Sequence, residues 1–251
     1  MAYTRYKIEF PNLDYRMDQS EEWVTVHSEG SNKKICLHDY AQFYEMPGLY
    51  EEVIYKRLKC TSPQMICGLL RKELQKKRGG WQNIRALDFG AGNGIVGECL
   101  KQKIRCDILV GLDIIPEACD AAQRDNPGIY DYYYVMDLSQ PTKSEKKKLE
   151  MWDFNVLLTI GALGFNDIPT RAFINAFNIV GNDALVAFNI KEDFLSDSDG
   201  SGFKKMLHSM MRDSFHVLQM KRYCHRLSIS GDPLHYHAIV GKKVKNVMRY
   251  W

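Results

Sequence analysis

From Ile84 to Val244 the sequence alternates segments of two kinds, and this alternation limits the fold more than any other feature. Residues 85–89, 108–113, 132–136, 154–160 and 184–190 are short runs of aliphatic, β-branched and aromatic side chains, as strands require. Between them residues 95–102, 117–124 and 170–179 carry apolar side chains at helical spacing, and 203–212 follows the last of them in the same way. A strand joined to the next strand through a helix crosses over and returns parallel, so the predicted architecture is α/β, a doubly wound and mostly parallel sheet. The strands at 132–136, 154–160 and 184–190 read as buried on both faces. The last two, 215–229 and 235–244, are separated only by a turn at Gly231-Asp232-Pro233. That turn is too short for a crossover, and the pair is predicted to form an antiparallel hairpin at the sheet edge.

The region before Ile84 follows another pattern. Residues 23–27 alternate, Glu29-Gly30-Ser31-Asn32 supplies a turn, and 35–37 is a short apolar run, which predicts a small hairpin. Tyr40, Phe43 and Tyr44 precede a Pro47-Gly48 break, with Tyr50, Ile54 and Leu58 after it, the spacing of two short helices. Ser62-Pro63 is a helix start and Gly79-Gly80 a stop. The expected division is residues 1–80 as a hairpin and helical lid or substrate region, and 81–251 as the α/β domain. The serine-rich acidic stretch 196–202 reads as a loop.

Composition removes several classes. A chain of 251 residues with 45% hydrophobic and 26% charged residues is long enough for a sizeable core and too apolar for disorder. Its longest apolar runs are strand-sized, well short of the ~20 residues of a membrane helix, and residues 1–7 lack a secretory pattern, so the default expectation is a cytoplasmic protein with no membrane partner. The seven cysteines form no Cys-x-x-Cys pair and are expected to be reduced. A formal charge of +3 is no basic stripe, and the basic runs at 71–78, 143–148 and 242–249 read as solvated faces, which makes nucleic acid an improbable partner.

The chemistry gathers where the first core strand turns into a helix, at Asp88-Phe89-Gly90-Ala91-Gly92-Asn93-Gly94. Glycines there permit a tight turn and close approach of backbone to a nucleotide-like ligand. Gly92 to Gly97 also fits the Gly-x-Gly-x-x-Gly spacing of dinucleotide-binding proteins, so the neighbours must decide. Asp88 places a carboxylate two residues before the first glycine, suited to a cationic amino group and repelled by a pyrophosphate. Asp113, twenty-one residues after Gly92, ends the next strand where a carboxylate can accept from ribose hydroxyls, or cap the following helix. Met136-Asp137-Leu138 ends the third strand, where a carboxylate and a backbone N–H can meet an adenine.

On these residues, with Thr159-Ile160-Gly161-Ala162-Leu163 after the fourth strand and the terminal hairpin, the region 84–243 resembles the class I S-adenosylmethionine-dependent methyltransferases. The resemblance implies a seven-stranded Rossmann-like fold and S-adenosylmethionine as cofactor, with S-adenosylhomocysteine as product. It implies a cofactor held by Asp88, Gly90, Ala91, Gly92 and Gly94, by Asp113 at the ribose, and by Asp137 and Leu138 at the adenine. It further implies that Ile114 packs on adenine and that Ile160 and Gly161 lie near the methionine end. An amino-terminal segment often closes over the cofactor in this family, which makes Tyr40, Tyr44 and Tyr50 the expected lid residues.

The acceptor is less constrained. No Asn-Pro-Pro-Tyr, Asp-Pro-Pro-Tyr or Pro-Cys sequence follows the fourth strand, which argues against the common base methylases of DNA. A small-molecule acceptor at an O, N or S atom is the first expectation, a protein side chain the next. The residues single out no catalytic group; His208, His216, His225, His235 and His237 are the candidate bases. His235-Tyr236-His237 would present both imidazoles on one face of a strand, but no third ligand is near and no metal is expected. The competing readings are a nicotinamide-dependent oxidoreductase, from Gly92 to Gly97, and a methyltransferase-like binding or scaffold protein without turnover.

Overall fold

The computed structural model describes residues 6–12, 17–28, 30–76, 81–165 and 167–248. Gly79-Gly80, expected to stop a helix, lie outside the described residues, as do Glu29 of the expected turn and the basic residues Lys77, Arg78 and Arg249.

The strands β1 (Lys7–Glu9), β2 (Trp23–Ser28) and β3 (Ser31–Cys36) form a small antiparallel sheet in that order. The hairpin is as expected, but β3 begins earlier than its apolar residues suggested, because residues 31–34 are exposed and only Ile35 is fully buried. Helix α1 (Tyr40–Glu45) is capped by the Asp39 side chain, which accepts from the Gln42 N–H. After the Pro47-Gly48 break the second expected helix is a π-helical segment, Glu51–Arg57, with Leu58 N–H donating to Val53 O at 2.9 Å. Val24, Val26, Ile35, Phe43, Leu49 and Val53 join in an apolar cluster separate from those of the larger sheet.

Helix α2 (Ser62–Lys76) leads into the alternation: β4 (Arg85–Phe89), α3 (Ile95–Lys103), β5 (Ile108–Asp113), α4 (Pro116–Asp125), β6 (Tyr132–Val135), α5 (Lys143–Glu150), β7 (Val156–Thr159), α6 (Thr170–Ile179), β8 (Leu185–Lys191), α7 (Phe203–Asp213), β9 (Phe215–Leu227) and β10 (Pro233–Lys243). The seven core strands run in the order β6-β5-β4-β7-β8-β10-β9. All pairings are parallel except those of β10, which lies antiparallel between β8 and β9. Helices cover both faces. One apolar layer joins Phe173, Phe177, Met206 and Met210 to the sheet, and the other joins Ile66, Leu70, Val96 and Leu100.

Two expectations need correction. Residues 132–136 are not buried on both faces: β6 is an edge strand, with Tyr132 49% and Val135 46% exposed. Winding starts at β4, proceeds outward through β5 to β6 and then resumes on the other side of β4, so an apolar strand that ends one half of the sheet looks central in sequence. Helix α5 was not anticipated, since Leu149 is its only buried residue. A reciprocal capping box between Thr142 and Glu145 fixes its start, and its lysines make a solvated face. Among the described residues no helix is long and apolar enough to cross a membrane.

Candidate functional site

The reversal of winding puts β5 on one side of β4 and β7 on the other, and the crevice beyond their carboxyl ends is where open α/β sheets bind ligands. The glycine segment begins there. Gly90 N–H and Ala91 N–H donate to Leu112 O at 2.8 and 3.1 Å, Gly92 N–H donates to Asp113 Oδ2 at 2.9 Å, and Gly94 N–H donates to Ala91 O at 3.1 Å. Gly90 and Gly92 have φ of 78° and 53°, and a Cβ at Gly92 would collide with the Tyr44 hydroxyl. Glycine is required by the backbone and by the Tyr44 hydroxyl together.

Asp113 holds this loop with one oxygen and the start of α4 with the other, since Oδ1 accepts from Ile114 N–H at 2.8 Å and Ile115 N–H at 3.2 Å. Burial pushes its carboxyl above the usual range against the pull of these three donors. Asp88 lies behind the loop. It is fully buried, Oδ2 accepts from the Tyr130 hydroxyl at 2.7 Å, and Oδ1 has no partner. Burial raises it to about 7.

A cavity of about 250 Å³ crosses the strand ends. Met136, Asp137 and Leu138 line it above β6, Asp113 and Ile114 above β5, Phe89 and Gly90 above β4, and Ile160, Gly161 and Ala162 above β7. Strands ~4.8 Å apart put these ends about 14 Å from one another, the span of an extended nucleoside with an attached chain. Ile114 is 56% exposed on its rim. Asp137 is fixed by Ser139, whose N–H and hydroxyl donate to it at 2.7 and 2.8 Å.

Tyr40, Tyr44 and Tyr50 line the same cavity from the amino-terminal side, with ring centroids 6.2 Å apart for Tyr40 and Tyr44 and 5.2 Å for Tyr44 and Tyr50. Arg124 donates to Tyr44 O at 2.9 Å, and the Asn93 amide donates to the Glu51 carboxylate, fastening this segment to α4 and the glycine loop. Burial holds the Tyr40 and Tyr44 hydroxyls well above their ordinary pKa, so they stay neutral hydrogen-bond donors.

A second, smaller cavity of about 40 Å³ adjoins the first, and His38, Tyr40, Tyr50, Ile160, Gly161 and Asp167 line both. Gln19, Cys60, Ser62, His225, Arg226 and Tyr236 line the smaller cavity and not the larger. Gly161 N–H donates to Asn189 Oδ1 at 2.7 Å, and the Asn189 amide donates to Tyr223 Oη at 2.9 Å and Ser62 Oγ at 3.2 Å. Ser62 in turn is hydrogen-bonded to His225 Nδ1. Burial, and after it the Arg226 charge, lowers His225 to about 3, so the imidazole is neutral at ordinary pH.

No protein-family profile matches the sequence, and no curated protein matches it. Solved structures do. The N-methyltransferase NodS of Bradyrhizobium japonicum WM9, in complex with S-adenosyl-L-homocysteine, superposes with a TM-score of 0.56 at 12% identity over 82% of this chain and 98% of that one. The plantazolicin methyltransferase BpumL, also with S-adenosyl-L-homocysteine, gives 0.54 at 15% over 82% and 95%. A putative RNA methyltransferase of Pyrococcus horikoshii gives 0.52 at 14% over 72% and 83%. The chain has the class I methyltransferase fold.

Within this methyltransferase fold the residues singled out in sequence divide into two groups. Gly90, Asp113, Ile114, Asp137, Leu138, Ile160, Gly161 and Tyr44 line the larger cavity. Asp88, Ala91, Gly92 and Gly94 build the loop behind it and do not line it. Of the histidines, His225 lines the smaller cavity, whereas His208, His216, His235 and His237 line neither. Among the described residues no three metal-ligating groups converge. His38, Asp167, Gln19 and the Glu22–Arg226 pair were missed in sequence. Asp167 lies four residues beyond the Thr159–Leu163 segment, and nothing in the sequence there distinguished it from a loop aspartate.

Proposed function

We propose that the chain is an S-adenosylmethionine-dependent methyltransferase acting on a small molecule. The observation that carries this reading is the state of the glycine-loop amides. Gly90, Ala91, Gly92 and Gly94 all donate within the protein, to Leu112 O, to Ala91 O and to the Asp113 carboxylate. A pyrophosphate cradle needs such N–H groups free, and no Lys or Arg is among the described residues lining the larger cavity. The acidic lining from Asp137 through Asp113 to Asp167 instead fits a ligand with hydroxyl and ammonium groups, which disfavours a nicotinamide dinucleotide.

The residues present fit S-adenosylmethionine, which when bound supplies an electrophilic methyl group on a sulfonium. Asp113 keeps acceptor capacity beside its backbone donors for the ribose hydroxyls, since an ionised carboxylate offers about four lone-pair sites. Ile114 offers an exposed apolar surface for a flat base next to Asp137 and Leu138. Gly161, without a side chain, leaves the passage between the two cavities open. Tyr40, Tyr44 and Tyr50 exclude water from the reaction, which then rests on proximity and desolvation. The small volume of the inner cavity supports a small acceptor, or a small reacting end of one.

Replacing Asp113 by Ala is expected to weaken S-adenosylhomocysteine binding by about 2 kcal/mol, roughly thirtyfold, through loss of the hydroxyl acceptor and release of Gly92. Calorimetric titration checks this; unchanged affinity in a folded variant would remove Asp113 from the site and with it the proposed orientation of the cofactor.

A further inference from the structure

The inner cavity has a chemistry of its own. Asp167 stands at its junction with the larger one and lines both. The Tyr40 hydroxyl donates to Asp167 Oδ2 at 3.2 Å, and His38 Nδ1 lies 3.4 Å from the same oxygen. Both contacts reach one oxygen, and a carboxylate with about four lone-pair sites can accept more. The same cavity is lined by Gln19, whose amide donates to Tyr236 Oη at 2.9 Å while its own Oε1 is buried without a partner. Two acceptors, one charged, therefore line one space, and among the described residues the Tyr40 hydroxyl alone donates to either of them.

The rest of the wall excludes most alternatives. The inner-cavity guanidinium of Arg226 is already engaged, by Glu22 Oε2 at 2.6 Å and Leu227 O at 2.8 Å, so an anionic acceptor would meet Asp167 with no free lysine or arginine among the described lining residues to balance it. Tyr40, Tyr50, Tyr55, Phe165 and Tyr236 supply aromatic surface, which attracts a cation and repels an anion at its faces. An ammonium group has three donors and no acceptor, the complement of this wall.

We infer that the inner cavity is the methyl-acceptor site and takes a small amine, anchored by the Asp167 carboxylate among the rings of Tyr40, Tyr50 and Tyr236. The inference rests on the larger cavity being the S-adenosylmethionine site and adds the acceptor class. An ammonium has no lone pair, so the bound group first gives one proton to Asp167. The freed nitrogen pair then forms the N–C bond to the methyl carbon, the sulfonium sulfur keeps the electrons of the bond that breaks, and the product leaves as an N-methylammonium. Asp167 returns its proton to water when the lid opens. Asp167 is thus the catalytic base, and Gln19 a positioning acceptor.

The test begins with S-adenosylhomocysteine binding and continues with the resulting complex. Methylamine, propylamine and benzylamine are compared with alcohols and carboxylic acids of the same carbon skeleton, both for methyl transfer from S-adenosylmethionine and for their effect on the unfolding temperature of the S-adenosylhomocysteine complex. Amines alone are expected to be methylated and to raise that temperature. Asp167→Asn is expected to lose amine turnover by about 100-fold and to lose the amine-dependent rise, as when one member of a desolvated charge pair is removed. Asp167→Glu should recover part of both, each variant being compared as its S-adenosylhomocysteine complex at saturating ligand. Binding of S-adenosylhomocysteine without methylation of any amine, preference for the alcohols or acids, or full amine turnover in Asp167→Asn would each overturn the inference and leave the cofactor reading intact. Failure to bind S-adenosylhomocysteine would remove both.

Discussion

Glu22→Ala is expected to cost about 3–5 kcal/mol of unfolding free energy, the usual loss when one member of a buried ion pair is removed. Glu22 and Arg226 side chains are 0% and 5% exposed and meet at 2.6 Å. Glu22 Oε1 also accepts from Ile229 N–H at 2.8 Å, and Arg226 donates to Leu227 O at 2.8 Å, so both partners are satisfied further by backbone. The pair joins the segment just before β2 to the end of β9, across the wall of the inner cavity. Removing the carboxylate leaves a guanidinium cation in a space built to exclude water. Denaturant unfolding at neutral pH measures the loss, and Glu22→Ala combined with Arg226→Met should recover part of it because no unpaired charge remains. A loss below about 1 kcal/mol, the range of exposed pairs, would mean that the contact is screened by solvent and does not fasten the two regions.

Asp88 gives the second large effect, and its sign is opposite to that of a salt-bridged acid. Burial raises its carboxyl from 3.8 to about 7 in the folded protein, with the Tyr130 hydroxyl pulling the other way. The folded state therefore binds this proton more tightly than the unfolded chain. Its contribution to stability is fully present below about pH 4 and is lost as pH rises through about 7. The difference corresponds to about 4 kcal/mol. The Asp88→Asn variant keeps an oxygen for Tyr130 and cannot ionise. Plotted against pH between 4 and 8, the stability of wild type minus that of the variant should fall by several kcal/mol. A flat difference would show that Asp88 does not titrate in that window, and the loop would then rest on a permanently charged carboxylate.

The fold was legible wherever burial and period coincided. β4 and β5 and helix α6 start and stop where their apolar patterns do, because each sits in a fully packed layer. Legibility failed where an element packs on one side only. α5 has a single buried residue, and β6 looks central by composition although strand order puts it at an edge. Much of the lining of the larger cavity followed from the glycine turn and the acids at successive strand ends, since those positions are fixed by local chain geometry. Asp88 is the instructive exception: two residues before Gly90 on a strand is a position that points into the layer behind the loop, where Tyr130 meets it. The inner cavity was not readable in advance. Gln19, His38, Asp167 and Arg226 come from separate parts of the chain, and the docking of the amino-terminal segment against β9 and β10 brings them to one cavity.

Thermal unfolding with S-adenosylmethionine, S-adenosylhomocysteine or NAD(P)H in separate samples tests the cofactor most directly. A ligand at 100 times its dissociation constant adds about 2.7 kcal/mol of stability. The first two are predicted to raise the unfolding temperature and NAD(P)H to leave it unchanged; stabilisation by NAD(P)H alone, or by none of the three, would contradict the account.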